Sequence, residues 1–206
     1  MKVLFVSPAA ELGGAERCLL DCVAALHEHG GVQAEVLALA DGPLLGKAQA
    51  LGARTQVVQA PRNLALLGES SSGSESHGVL FGLLSSAPDV VRFLARLRGA
   101  IAFARPDVVH TNGMKAHLLA GLVAPARARL VIHLHDFISA RRASSRLLPA
   151  LQRIRRRAMF IANSQAVARD FASVAPSANI RTIYNVVDTD YFREGPAEPD
   201  WLANLA

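Results

Sequence analysis

Aromatic residues are scarce in this sequence, at 5% of its 206 positions, and cysteine is scarcer still, with two. A core without large rings must be filled by Ala, Leu and Val, and a hydrophobic content of 51% supplies them. Such residues suit helices packed on a parallel sheet, whose buried strands read as short apolar runs. Two cysteines are too few for a disulfide scaffold. Cys18 and Cys22, four apart on one helical face, read as small core residues rather than as a bridge or a metal pair. No stretch approaches the ~20 apolar residues of a membrane span. Leu4 to Val6 is too short an apolar run for the core of a secretory leader, so the expectation is a reducing, cytoplasmic compartment.

What is present alternates. Lys2-Val3-Leu4-Phe5-Val6 reads as a short buried strand ended by Ser7-Pro8. From Ala15, the residues Cys18, Leu19, Cys22, Val23 and Leu26 fall at helical spacing until Gly30-Gly31. Val32 to Leu39 reads as a strand, Leu44 to Leu51 as a short helix and Arg54 to Gln59 as a third strand. Pro61 to Pro88 carries Ser70-Ser71-Ser72-Gly73-Ser74, too rich in serine and glycine to pack a core, and reads as a mobile surface loop. Asp89 is expected to cap a helix striped by Val90, Leu94, Leu97 and Ile101. Further strands are expected at Asp107 to His110, Arg129 to Leu134, Met159 to Asn163 and Ile180 to Tyr184. Helices are expected near Lys115 to Val123, at Ser145 to Arg157, and after a Ser164 cap. This order predicts an α/β fold, a Rossmann-like, doubly wound, mostly parallel sheet of about seven strands in a single domain.

Ligands on such sheets sit at the carboxyl ends of the strands. Gly13 and Gly14 follow the first strand there, and His110, Thr111 and Asn112 the fourth. His135 and Asp136 follow the fifth, Asn163 and Ser164 the sixth, and Asn185 the seventh. A glycine pair at a helix mouth lets a ligand approach the free N–H groups of the first turn, which with the helix dipole suit a phosphate. The plain alternative is a strand-to-helix turn with no ligand. One histidine at a strand end is more often a structural hydrogen-bonder than a catalyst, but four polar clusters on one rim favour a site. His133 is read as structural, on the opposite face of its strand from His135.

Five segments carry a family likeness through their order and spacing: Gly13-Gly14-Ala15-Glu16-Arg17, Pro106 to Asn112, Val131 to Asp136, Ala162-Asn163-Ser164 and Ile183 to Phe192. Together they resemble the N-terminal domain of a family-4 retaining glycosyltransferase of the GT-B fold. The resemblance implies a Rossmann-like N-terminal domain over 1–186, with 187–206 as linker and start of an otherwise absent donor-binding domain. It implies an acceptor-binding half of a hexosyltransferase, moving sugar from a nucleotide-sugar to an acceptor hydroxyl with retention and inactive alone. No metal and no cofactor are expected beyond the nucleotide-sugar as co-substrate, and the acceptor would be a glycan or a lipid-linked sugar. His135 would be the catalytic residue, hydrogen bonding to sugar or acceptor, and Gly13 and Gly14 would face the donor phosphates. Glu16, Arg17, His110, Asn112, Asp136 and Asn185 would face the acceptor. The family's Asn-Gly-Val-Asp linker signature here reads Asn185-Val186-Val187-Asp188, so a glycine able to take positive φ is replaced by valine.

Acid is missing from one stretch. Between Phe137 and Ala158 stand seven arginines and no carboxylate, with Leu147, Leu148, Leu151 and Ile154 as an apolar stripe. A solvated helix face accounts for such a run. So does a patch, centred on Arg153, Arg155, Arg156 and Arg157, seated on anionic lipid at the inner face of the membrane. A net charge of +5 permits nucleic acid, but no aromatics interleave with the basic residues, and no nucleic-acid partner is expected. Two alternatives stand beside the transferase. One is a nucleotide-cofactor oxidoreductase, although the third glycine of the dinucleotide fingerprint is missing. The other is a non-catalytic binding or regulatory domain.

Overall fold

The computed structural model describes residues 1–8, 11–61, 64, 87–140 and 144–187. Its elements alternate: β1 (Lys2–Ser7), α1 (Gly14–His29), β2 (Gln33–Ala38), α2 (Pro43–Ala50), β3 (Arg54–Val57), α3 (Ala87–Ala104) and β4 (Val108–Asn112). There follow α4 (Met114–Val123), β5 (Arg129–Leu134), α5 (Ser144–Ile154), β6 (Met159–Ala162), α6 (Gln165–Val174) and β7 (Asn179–Thr182). The strands form one sheet in the order β3-β2-β1-β4-β5-β6-β7, and every adjacent pair is parallel. The fold is the expected Rossmann-like α/β sheet.

Strand residues alternate between two cores. Leu4, Val6, Val109, Ile132 and Leu134 face α3 to α6, from which Leu97, Ala120, Leu151 and Phe171 are buried. Val3, Phe5 and Val36 face the other way, against Leu19 and Val23 of α1 and Leu44 of α2. This segregation follows from right-handed crossovers. Winding from β1 to β3 puts α1 and α2 on one face, and winding back from β4 to β7 puts the later helices on the other. The reversal between β1 and β4 is the switch point where such sheets open a crevice at their carboxyl ends.

Several boundaries differ from expectation. Asp89 lies inside the first turn of α3 and bonds Arg92 at 2.8 Å rather than capping the helix. β4 continues through Thr111 and Asn112, so both lie in the strand itself. α5 ends at Ile154, leaving Arg155, Arg156 and Arg157 in the turn before β6. Ser164 caps α6 as expected, accepting the Val167 N–H at 3.2 Å. The serine-rich loop, Arg141, Arg142 and Asp188 onward lie outside the described residues. Among described residues Arg105 is the one non-glycine with positive φ, so Val186 takes up its place without left-handed backbone.

Candidate active site

The site grows from β4 and β5. Val109 and Ile132 point into the α3–α6 core, so His110, Asn112 and His133 project from the other face, the one α1 covers. His135, two residues beyond His133, shares that face, and the two rings lie 4.2 Å apart. This corrects the expectation that His133 points away: alternation separates neighbours, not residues two apart. His110 Nε2 lies 3.3 Å from His133 Nδ1, and the His110 ring leans on Phe5 at 4.9 Å between centroids. His135 donates its Nε2–H to Asn112 Oδ1 at 2.7 Å, and Asn163 Nδ2 donates to the His135 carbonyl at 3.3 Å. Three buried polar atoms here have no protein partner: Asn112 Nδ2, His133 Nε2 and Asn163 Oδ1. They gather on one rim. Burial of an unpaired polar group costs about 1–3 kcal/mol, so clustering them favours a place built for a ligand.

The imidazoles are neutral at physiological pH. Burial pushes His110 down to about 3 and His133 to about 4, with nearby imidazoles adding to the effect. Burial also lowers His135, against the opposing pull of Asp136 and Glu16. With Nε2–H committed to Asn112, neutral His135 presents the Nδ1 lone pair as an acceptor.

α1 completes the rim. Gly13 is its N-cap, in extended backbone that any residue adopts, so its glycine is not explained by φ. It is explained by room, because a Cβ there would meet Glu16 Oε2 at 2.9 Å. Glu16 is buried and committed: its carboxylate accepts the Gly13 N–H at 3.2 Å and the Ser7 hydroxyl at 3.3 Å. It caps the helix in this structure. Around Gly14 a Cβ would meet nothing within 4 Å, which leaves its backbone open to approach. Arg17 is exposed on the same turn. Asn185, three residues past β7, accepts from Cys18 Sγ at 3.3 Å and so brings the linker signature back to α1.

Two contributors escaped the sequence reading. Asp170 on α6 accepts from the Ile138 N–H at 2.6 Å, from the Ser139 N–H at 3.1 Å and from the Ser139 hydroxyl. These bonds overcome what desolvation it feels, hold its carboxylate below the usual range, and pin the loop that carries His135 and Asp136. His117 on α4 lies 2.8 Å from Thr111 Oγ1 beneath the same strand end. A histidine in the first turn after a strand-end glycine was the available signal.

The arginines stand elsewhere. Arg155, Arg156 and Arg157 border a depression of about 630 Å³ with Arg127 and Arg129, where β5 and β6 begin. That is the amino edge of the sheet, opposite the histidine rim. Arg155 is spent on structure, donating to the carbonyls of Gly121, Leu122 and Ala124 at 2.7–3.0 Å.

A family model described as Glycosyltransferase Family 4 matches residues 12–191. The chain belongs to that family. No curated protein sequence matches it. Among solved structures, this family-4 domain is similar to Anabaena Alr3699/HepE in complex with UDP and glucose, with TM-score 0.66 and 25% identity over 100% of this chain. It covers 50% of the HepE chain. The apo lipopolysaccharide outer core galactosyltransferase WaaB shares the fold, with TM-score 0.57 and 14% identity over 91% of this chain and 46% of its own. The family-4 domain thus spans about half the length of the solved structures it matches. Among the described residues, no helix is long and apolar enough to cross a membrane.

Proposed function

We propose that this domain is the acceptor-binding half of a retaining hexosyltransferase that acts with a second, donor-binding domain. The observation that supports it best is the rim where Asn112, Asn163 and His135 meet, with two amide atoms left unpaired in a family-4 chain. HepE was solved with UDP and glucose, and its likeness argues for a nucleotide-sugar donor here as well.

In such a transfer the bond from the anomeric carbon to the diphosphate breaks, and its electron pair leaves with phosphate oxygen. Positive charge then builds at the sugar carbon. Preorganised donors aimed at the leaving oxygens are the largest means of lowering that barrier. Gly14 N–H, at the positive end of the α1 dipole, would meet the diphosphate from the acceptor side. His135 Nδ1 would accept a hydroxyl proton of the bound sugar or acceptor in a hydrogen bond that orients it. Retention does not require a base on this side, so His135 is a hydrogen-bonding residue in this reading. Asn112 fixes its tautomer. Arg17, His110, Asp136 and Asn185 would border a glycan or lipid-linked acceptor.

The domain would attach to the inner face of a membrane through Arg153, Arg156 and Arg157. The test is turnover: the 206-residue chain should transfer no label from UDP-sugars, and joining it to a family-4 donor-binding domain should restore transfer. Turnover by the chain alone, above a heat-inactivated control, would overturn the division of labour, because a single cleft wall cannot orient both substrates.

A further inference from the structure

Three side chains that could ligate a metal converge on the α1 face. Cys18 Sγ, a ring nitrogen of His133 and a ring nitrogen of His135 all lie within 4.8 Å of one another. We propose that Cys18, His133 and His135 bind a zinc-class divalent transition-metal ion.

The free nitrogens can be assigned. His133 Nδ1 is engaged by His110 at 3.3 Å, which leaves Nε2, a buried atom without a protein partner on a side chain that is 5% exposed. His135 Nε2 is engaged by Asn112 at 2.7 Å, which leaves Nδ1. Each imidazole therefore offers one nitrogen while the other is held by a neighbour, the arrangement that orients metal-ligating histidines. A thiolate and two imidazoles select zinc, copper, cobalt or nickel over magnesium and calcium, which require oxygen ligands. A tetrahedral ion at the usual Zn–N and Zn–S lengths sets its ligands about 3.3–3.6 Å apart. From the present spacing that is a closure of roughly an ångström, within reach of side-chain rotation.

The cysteine sets the cost. The neighbouring Cys22 and burial push the Cys18 thiol pKa up, so the ion must displace the thiol proton and with it the bond to Asn185 Oδ1. One proton then passes to solvent, and the sulfur's electron pair becomes the metal bond. Three protein ligands leave the fourth position open to water at the rim, the pattern of a reactive rather than a structural site. Where the transferase reading holds, the ion takes the same His135 Nδ1 that a sugar hydroxyl would use, and zinc inhibits transfer. Binding of the ion itself does not depend on that reading.

The test uses the untagged 206-residue chain and cobalt(II) as a coloured probe. One equivalent should bind with a thiolate-to-cobalt charge-transfer absorption in the near ultraviolet, which zinc bleaches on displacement. Cys18→Ser should abolish that band, and His135→Gln should weaken binding by at least about tenfold. Zinc should raise the melting temperature of the parent and not that of Cys18→Ser. The exposed His27 and His29 provide the control, and the His27→Ala/His29→Ala double variant should bind as the parent does. No charge-transfer band, a band that survives Cys18→Ser, or binding lost in the double variant would each overturn the proposal. Binding that persists while the donor-joined chain shows no transfer would leave the metal site standing and remove the transferase.

Discussion

Two adjacent glycines show how much depends on single atoms. Gly13 makes room for the Glu16 carboxylate that caps α1, so Gly13→Ala should cost about 1 kcal/mol by displacing that cap. Gly14 has open space where a side chain would stand, so Gly14→Ala should be neutral or stabilising by up to about 1 kcal/mol. If a diphosphate reads its backbone, the same change should still lower transfer by the donor-joined chain. Thermal melts and initial rates separate the two, and a fully active Gly14→Ala would remove the phosphate role. For His135→Ala in the donor-joined chain, kcat should fall on the order of a hundredfold, the scale of one well-placed hydrogen-bonding group. Its melting temperature should fall by a few degrees, because the buried Asn112 Oδ1 loses its donor, a loss too small to account for that drop in rate. Activity lost only in step with folded protein would make the residue structural. Gly13, Gly14, Asn112 and His135 were legible in the sequence as polar or glycine residues at strand ends. The partnership of His133 with His135 was also legible, since strand residues two apart share a face, and it was misread. Cys18 was hidden because a thiol on an apolar helical stripe looks like core.

At the scale of elements, sequence periodicity located each described helix and strand but not what their ends do. Nothing in a run of arginines marks the one that closes another helix. Arg155 donates to three carbonyls around the C-terminus of α4, groups that no intrahelical bond satisfies. Charge-assisted bonds of this kind contribute about 1.5–3 kcal/mol, so Arg155→Gln should destabilise the domain by roughly 2 kcal/mol. Arg156→Gln and Arg157→Gln, at exposed positions, should stay within about 0.5 kcal/mol of the parent in urea denaturation. A membrane role therefore has to be tested without Arg155. Replacing Arg153, Arg156 and Arg157 with Gln should abolish salt-sensitive sedimentation on anionic vesicles while the fold persists. Equal sedimentation of parent and variant would end the idea.

For the whole molecule, the alternating pattern specified the sheet, because right-handed crossovers leave a strand–helix repeat few other arrangements. The buried histidines add a global property. Burial pushes His110 and His117 down to about 3 and His133 to about 4, each from an ordinary 6.5. Below pH 6.5 the unfolded chain takes up these three protons and the folded chain does not. Stability is therefore full above about 6.5 and is lost as pH falls towards 4 and then 3. Between pH 6.5 and 5, before most carboxylates titrate, the unfolding free energy should fall with a slope approaching three protons, about 1.4 kcal/mol per pH unit for each. Denaturant titrations across that range check it, and a flat profile would mean the rings are solvated. The same parallel sheet also sets a reach. Its arginines stand where the strands begin and its histidine rim where they end, with β5 six residues long. At about 3.3 Å per residue that is a span of roughly 20 Å. A domain standing on its arginines would hold its rim that far above the headgroups, as a lamp on a post. The first sugar on a lipid would lie below its light, and the acceptors within range would be chains already several sugars tall.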